Sequence, residues 1–220
     1  MSELWTYEFD DAADLDLIPK AHHWNTLQTP RPAYGETFPD YNGWDILSSN
    51  RGQANSDLAT TVRFERFPGT PDYSYEIDLV WPSDGNSRPI DLWIRMIDDE
   101  NGYFAHLDNN FGSGEVSLYR AVDGVETEID AAVSFSYTAT VAITIKVVAN
   151  GNRISCEVAG VEKVFKVEAD ADLIFGNYRI GFRQVNATSL APTVAALVVE
   201  DETDPSGKTG DLRFFVDEDS

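Results

Sequence analysis

Seven side chains of this sequence could act together if neighbouring strands bring them to one face: Glu76, Asp78, Trp93, Arg95, Phe104, His106 and Tyr119. Aromatic rings stack on sugar rings, and carboxylates and guanidinium groups exchange hydrogen bonds with hydroxyls, so the mixture suits a glycan groove. The competing reading is that Trp93 and Phe104 pack under a loop with the charges at its rim, because large sandwiches bury aromatics on both faces. A second set, Trp24, Tyr34, Tyr41 and Trp44, lies in or beside residues 19–43. Exposed aromatics of this kind anchor partners, although a long loop also packs back on its own scaffold.

Oxygen donors form a third set. Asp84, Asn86, Asp108, Asn109 and Asn110 fall at one end of the expected strands and could hold calcium, which needs several hard oxygen ligands. Asp and Asn also cap turns with no ion present. Asp98, Asp99 and Asn101 belong to the opposite end, roughly 20 Å away at the usual strand rise, and cannot complete that site. The three histidines, His22, His23 and His106, have no zinc-type spacing, and no nucleophile elbow is present. Cys156, the single cysteine, sits at an alternating apolar position and reads as a buried, inert thiol.

The elements that must position these groups are strands. Apolar residues alternate at Trp5, Tyr7 and Phe9; at Tyr73, Tyr75, Ile77, Leu79 and Trp81; and at Leu92, Ile94 and Met96. The same period marks Tyr103, Ala105 and Leu107; Val116 and Leu118; Val141, Ile143, Ile145 and Val147; and Ile154, Cys156 and Val158. Asn150-Gly151-Asn152 is a hairpin signal between two such runs, and Ala159-Gly160 turns into residues 161–167. Ile180 and Phe182, then residues 193–199, close the series. Only residues 10–17 could hold a helical turn. Strands about ten residues apart with turn signals between them predict an all-β, two-sheet antiparallel sandwich or jelly roll. One domain is expected over residues 1–200, including a long ordered loop at 19–43. Residues 201–220 follow as an acidic extension in which Leu212, Phe214 and Phe215 form an apolar anchor.

Bulk composition sets limits. An apolar fraction of 42% with 12% aromatics is ample for a core. The formal charge of −22 on 220 residues repels nucleic acid and anionic membranes, so a phosphate-binding role is excluded. Such a surface keeps a protein soluble, and it also suits salty surroundings in which self-repulsion is screened, as in a marine or halophilic source. No apolar run is long enough for a membrane-spanning helix. The first nine residues lack the basic and apolar segments of a secretory signal. Asn186-Ala187-Thr188 matches a glycosylation sequon, which means little without export.

Residues 73–200 resemble the concanavalin A-like, laminin-G-like jelly-roll superfamily. The resemblance is carried by Asp98-Asp99-Glu100-Asn101-Gly102-Tyr103, by the hairpin over 145–158, and by Tyr178-Arg179-Ile180-Gly181-Phe182-Arg183. It implies a fold whose members include lectins, glycoside hydrolases, adhesion modules and phage or viral surface proteins. Laminarinase-like members carry Glu-x-Asp-x-(x)-Glu, with two carboxylates about 5–5.5 Å apart for a retaining reaction. Here Glu76-Ile77-Asp78-Leu79-Val80-Trp81 supplies only the first half. Without the third carboxylate the leaving group has no proton donor, so a non-catalytic protein is expected. A sandwich of this type without an export signal leads first to a virion surface protein, made in the host cytoplasm as a capsid decoration or a tail or fibre component. Its partners would be other virion subunits or its own copies, and it could also bind a cell-surface glycan. The alternatives are a free-standing lectin-like module and a divergent carbohydrate-active hydrolase or lyase.

Overall fold

The computed structural model describes residues 2–7, 24–27, 44–47, 51–54, 60–64, 68–82, 87–98, 100–109, 113–169, 179–184 and 192–202. Every regular element among them is a strand. In chain order these are β1 (Ser2–Tyr7), β2 (Trp24–Leu27), β3 (Trp44–Leu47), β4 (Arg51–Ala54) and β5 (Thr60–Phe64). Next come β6 (Tyr73–Val80), β7 (Ile90–Met96), β8 (Gly102–Asp108), β9 (Gly114–Val122) and β10 (Val125–Phe135). The series ends with β11 (Ile143–Asn150), β12 (Arg153–Val158), β13 (Val161–Val167), β14 (Arg179–Gln184) and β15 (Thr193–Asp201). One antiparallel sheet runs β13-β12-β11-β6-β15-β4-β3, with β1 also paired to β15. The other runs β10-β9-β8-β7-β14-β5-β2.

Period-two patterning produces the core. Tyr73, Tyr75, Ile77 and Leu79 of β6 face Ile90, Leu92 and Ile94 of β7, Tyr103, Ala105 and Leu107 of β8, and Phe182 of β14. All of these are fully buried. Each such side chain contributes about 1.5–3 kcal/mol when taken out of water, so the sandwich is held chiefly by this layer. Trp81 closes one end. Its indole N–H donates to the Arg88 carbonyl at 3.1 Å, and its ring packs on Tyr137 at 5.1 Å. Cys156 is fully buried, and burial raises its thiol pKa far above the ordinary value, as befits an unreactive core residue.

The turns follow their residues. Gly151 takes the first central position of the β11–β12 hairpin with φ 56°, the arrangement of a type II′ turn. Asp123-Gly124 and Ala159-Gly160 both have two positive φ values, as type I′ turns require.

Several expectations change. Residues 19–43 do not form one uninterrupted loop, because β2 lies inside them and pairs with β5. Strands β2 to β5 and β10 were not expected from the sequence. β10 does alternate, with Val125, Ile129, Val133 and Phe135 at one parity and Glu126, Glu128, Asp130 and Ser134 at the other, although it is an edge strand exposed along most of its length. Residues 10–17, 185–191 and 203–220 lie outside the described residues, and so do the expected helical turn, the sequon and the apolar anchor.

A bulge in β7 redirects side chains on both faces of its sheet. Trp93 pairs with Gly181 and Met96 with Arg179, so two residues of β7, Ile94 and Arg95, oppose one of β14, Ile180. Arg95 absorbs the extra step with φ 50°. Met96, expected in the core beside Ile94, therefore turns to the outer face with Trp93. The bulge frees the Arg95 backbone N–H, which donates 2.6 Å to the Tyr73 hydroxyl from the opposite sheet. That hydroxyl in turn donates to the Arg179 carbonyl at 3.1 Å.

Candidate functional site

The outer face of the second sheet collects most of the polar chemistry. Register places Asp91 of β7 opposite His106 of β8 and Arg183 of β14. It places Trp93 opposite Phe104, and Phe104 opposite Tyr119 of β9. Glu128 of β10 lies across from Tyr119, and Glu126 across from Ala121. These neighbours arise because alternate residues of five adjacent strands point the same way.

Asp91 is fully buried and holds two side chains, His106 and Arg183. Its Oδ1 lies 2.6 Å from His106 Nδ1, and its Oδ2 accepts from Arg183 Nε at 2.6 Å. Burial disfavours the His106 imidazolium, but the Asp91 hydrogen bond and charge, helped by Asp108, outweigh burial and the opposing Arg183 charge. The pKa of His106 is therefore raised above its ordinary 6.5. Because Nδ1 is committed to Asp91, Nε2 is the ring nitrogen left to meet a ligand.

Arg183 spans the face as a strap. From Asp91 on one side it reaches Glu126 on the other, where Nη1 donates to Oε1 at 2.6 Å. Its guanidinium passes 5.2 Å from the Trp93 ring centre and 4.9 Å from that of Phe104. Underneath, Trp93 and Phe104 pack at 4.7 Å, and Phe104 stacks on Tyr119 at 5.1 Å with planes 4° apart. Gly102 permits this floor, since a Cβ there would meet the Trp93 ring at 3.0 Å. Trp93 and Phe104 are thus fully covered, as in the packed alternative. Tyr119 is half-buried, His106 is 31% exposed and Glu126 41%, so these groups and Glu128 form the accessible part.

Of the seven residues expected to share a face, Trp93, Phe104, His106 and Tyr119 do. Glu76 and Asp78 do not: β6 pairs with β11 and β15, which puts them on the outer face of the other sheet. There Glu76 is exposed and Asp78 accepts from the Thr144 hydroxyl at 3.1 Å. Consecutive strands were expected to be neighbours, but β6 to β7 is a crossing between sheets. Arg95 is displaced by the bulge. It is buried, donates to the Pro71 and Gly151 carbonyls at 2.9 and 2.7 Å, and pairs with Asp72 at 3.0 Å. Asp91, Arg183, Glu126 and Glu128 were missed; the signal for Asp91 and Arg183 was a charge alternating with core residues inside otherwise apolar strands.

The other candidates separate. Trp24 begins β2 opposite Phe64, whereas Trp44 begins β3 opposite Ala54 in the other sheet. They therefore do not belong to one loop surface, and Tyr34 and Tyr41 lie outside the described residues. Asp108 accepts from the Ser87 hydroxyl at 2.8–2.9 Å and from the Arg88 N–H at 3.2 Å. Asn109 Oδ1 also accepts from Arg88 N–H, at 2.6 Å. These described oxygens tie down the chain entering β7, and no group of three or more metal-ligating side chains occurs among the described residues. Asp84, Asn86 and Asn110 lie outside them.

No family model and no curated protein matches the sequence. Solved structures do resemble the fold. The carbohydrate-binding module CBM66 from Bacillus subtilis is 17% identical with a TM-score of 0.56, covering 81% of this chain and 92% of its own. A beta-glucanase from Bacillus licheniformis is 12% identical with a TM-score of 0.56, covering 90% and 97%. An endo-beta-1,3-glucanase from Pyrococcus furiosus is 10% identical with a TM-score of 0.57, covering 90% and 93%. The protein has the concanavalin A-like jelly-roll fold, an architecture it has in common with carbohydrate-binding and carbohydrate-cleaving proteins.

Proposed function

We propose that this protein is a non-catalytic carbohydrate-binding module whose ligand lies on the outer face of the β10-β9-β8-β7-β14 sheet. The observation that carries the reading is the Asp91-oriented pair of His106 and Arg183 set beside the half-buried Tyr119. One ring offers an apolar surface to a sugar, while fixed donors and acceptors around it can meet hydroxyls. Fold likeness to a carbohydrate-binding module agrees with this, although one fold hosts many functions and the site must carry the argument.

Hydrolysis has less support. Glu76 and Asp78, the part of the glucanase-type pattern present in the sequence, sit on the opposite sheet. Asp91 is engaged at both oxygens, which leaves it poorly placed to act as a nucleophile. A place on a virus particle gains nothing from the three similar structures, none of which is a virion protein.

The test is direct binding to immobilised oligosaccharides, with calcium and with chelator, for the native protein, Tyr119→Phe and Tyr119→Ala. Tyr119→Phe is expected to retain binding. Tyr119→Ala is expected to lose roughly tenfold in affinity, about 1.4 kcal/mol, without a matching loss of thermal stability. Absence of binding by the native protein throughout would refute the reading, and loss in chelator alone would reveal a cation requirement.

A further inference from the structure

We infer that the site selects uncharged glycans and rejects those bearing carboxylate or sulfate groups; this rests on the carbohydrate-binding reading of the same face. A guanidinium on a ligand-facing surface is ordinarily the group that captures anions, through paired N–H donors. The charge of Arg183 is already countered, and two of its five N–H donors are committed to carboxylates. Its Nε is taken by Asp91 and its Nη1 by Glu126, both at 2.6 Å, so one positive charge is matched by two negative ones. His106 is the other cation of the face, and its Nδ1 is bound to the same Asp91 carboxylate. Two further carboxylates border these groups: Glu128 acts on Tyr119, and Asp108 acts on His106. With His106 protonated, four carboxylates surround two cations, and with it neutral they surround one.

An anionic sugar entering here would meet net negative charge at close range, inside the field of a chain carrying −22. A neutral sugar would meet acceptors for its hydroxyls at Glu126 and Glu128, and His106 Nε2 as donor or acceptor according to its protonation. The buried Asp91 is the positioning residue of this arrangement: one carboxylate fixes the direction of both cationic side chains.

The test uses the full chain on an array presenting neutral, uronic and sulfated versions of the same oligosaccharide scaffolds, read at 10 mM and 500 mM salt. The expected result is binding confined to neutral members at low salt, with discrimination shrinking at high salt as screening shortens the field. Glu126→Gln removes one negative charge and leaves Arg183 Nη1 at most a neutral acceptor in its place. It should raise affinity for the acidic members relative to their neutral counterparts by on the order of tenfold at low salt. Acidic members bound as tightly as neutral ones by the native protein at low salt would overturn the inference while leaving the binding reading intact. An unchanged acidic-to-neutral ratio in Glu126→Gln would also overturn it. Binding to no member at either salt concentration would defeat both.

Discussion

Asp91 illustrates how one residue can set the character of a surface. A buried carboxylate is costly to desolvate, and here that cost is offset by two short contacts, to the Arg183 guanidinium and to His106, the second ionic when His106 is protonated. The consequence can be read in the pH dependence of stability. Because the folded-state pKa of His106 is raised above 6.5, its bridge adds stability that is fully present below that value and fades as pH rises through the folded pKa. Chemical denaturation of the native protein and His106→Gln across pH 5–9 should therefore give curves whose difference is largest at the acid end and narrows towards the alkaline end. A difference that stays constant with pH would mean that His106 is retained for packing alone.

At the scale of elements, the bulge in β7 and the hydroxyl of Tyr73 form one device. The bulge turns Met96 outward into the cluster of Trp93 and Phe104, sends Arg95 towards Asp72 and the Gly151 turn, and leaves a backbone N–H for Tyr73 to accept from. Tyr73 thereby bridges β6 to β7 and β14 across the sandwich. Tyr73→Phe keeps the ring but strands the Arg95 N–H and the Arg179 carbonyl, at a cost of about 2 kcal/mol. Urea unfolding should show this as a lower midpoint with an unchanged slope; a change below about 0.5 kcal/mol would mean that water replaces the hydroxyl. The same elements show what patterning could and could not reveal. Alternation located β6 to β8 within a residue or two, because one face of each is dry, whereas β9 was marked only at Val116 and Leu118 and runs on to Val122. The bulge was not visible, because a step of one residue depends on the partner strand and not on the strand's own composition.

For the whole molecule, charge is the dominant feature outside the core. A formal charge of −22 means that most acidic side chains have no cation to pair with, so self-repulsion opposes the compact state. Raising sodium chloride from 10 mM to 1 M shortens the Debye length from about 30 to 3 Å and should raise the melting temperature. A gain of about 1 kcal/mol corresponds to roughly 2–4 °C for a chain of this size. A melting temperature that falls with salt would show that attractive pairs such as Lys146 with Glu200 and Glu202 outweigh the repulsion.

The sequence by itself determined the class of fold, the positions of most core strands, the hairpins at Gly151 and Gly160, and the buried state of Cys156. Each of these depends on local chemistry: period-two burial, positive φ, or an apolar position within a strand. Only the tertiary structure decided which strands are neighbours and therefore which side chains meet. It separated Glu76 and Asp78 from Trp93 by a crossing between sheets, moved Arg95 inward through a bulge, and brought Arg183 from a distant strand to Asp91. The physical reason is that pairing across a sandwich is set by how whole faces are buried against one another, and no single stretch of residues records that.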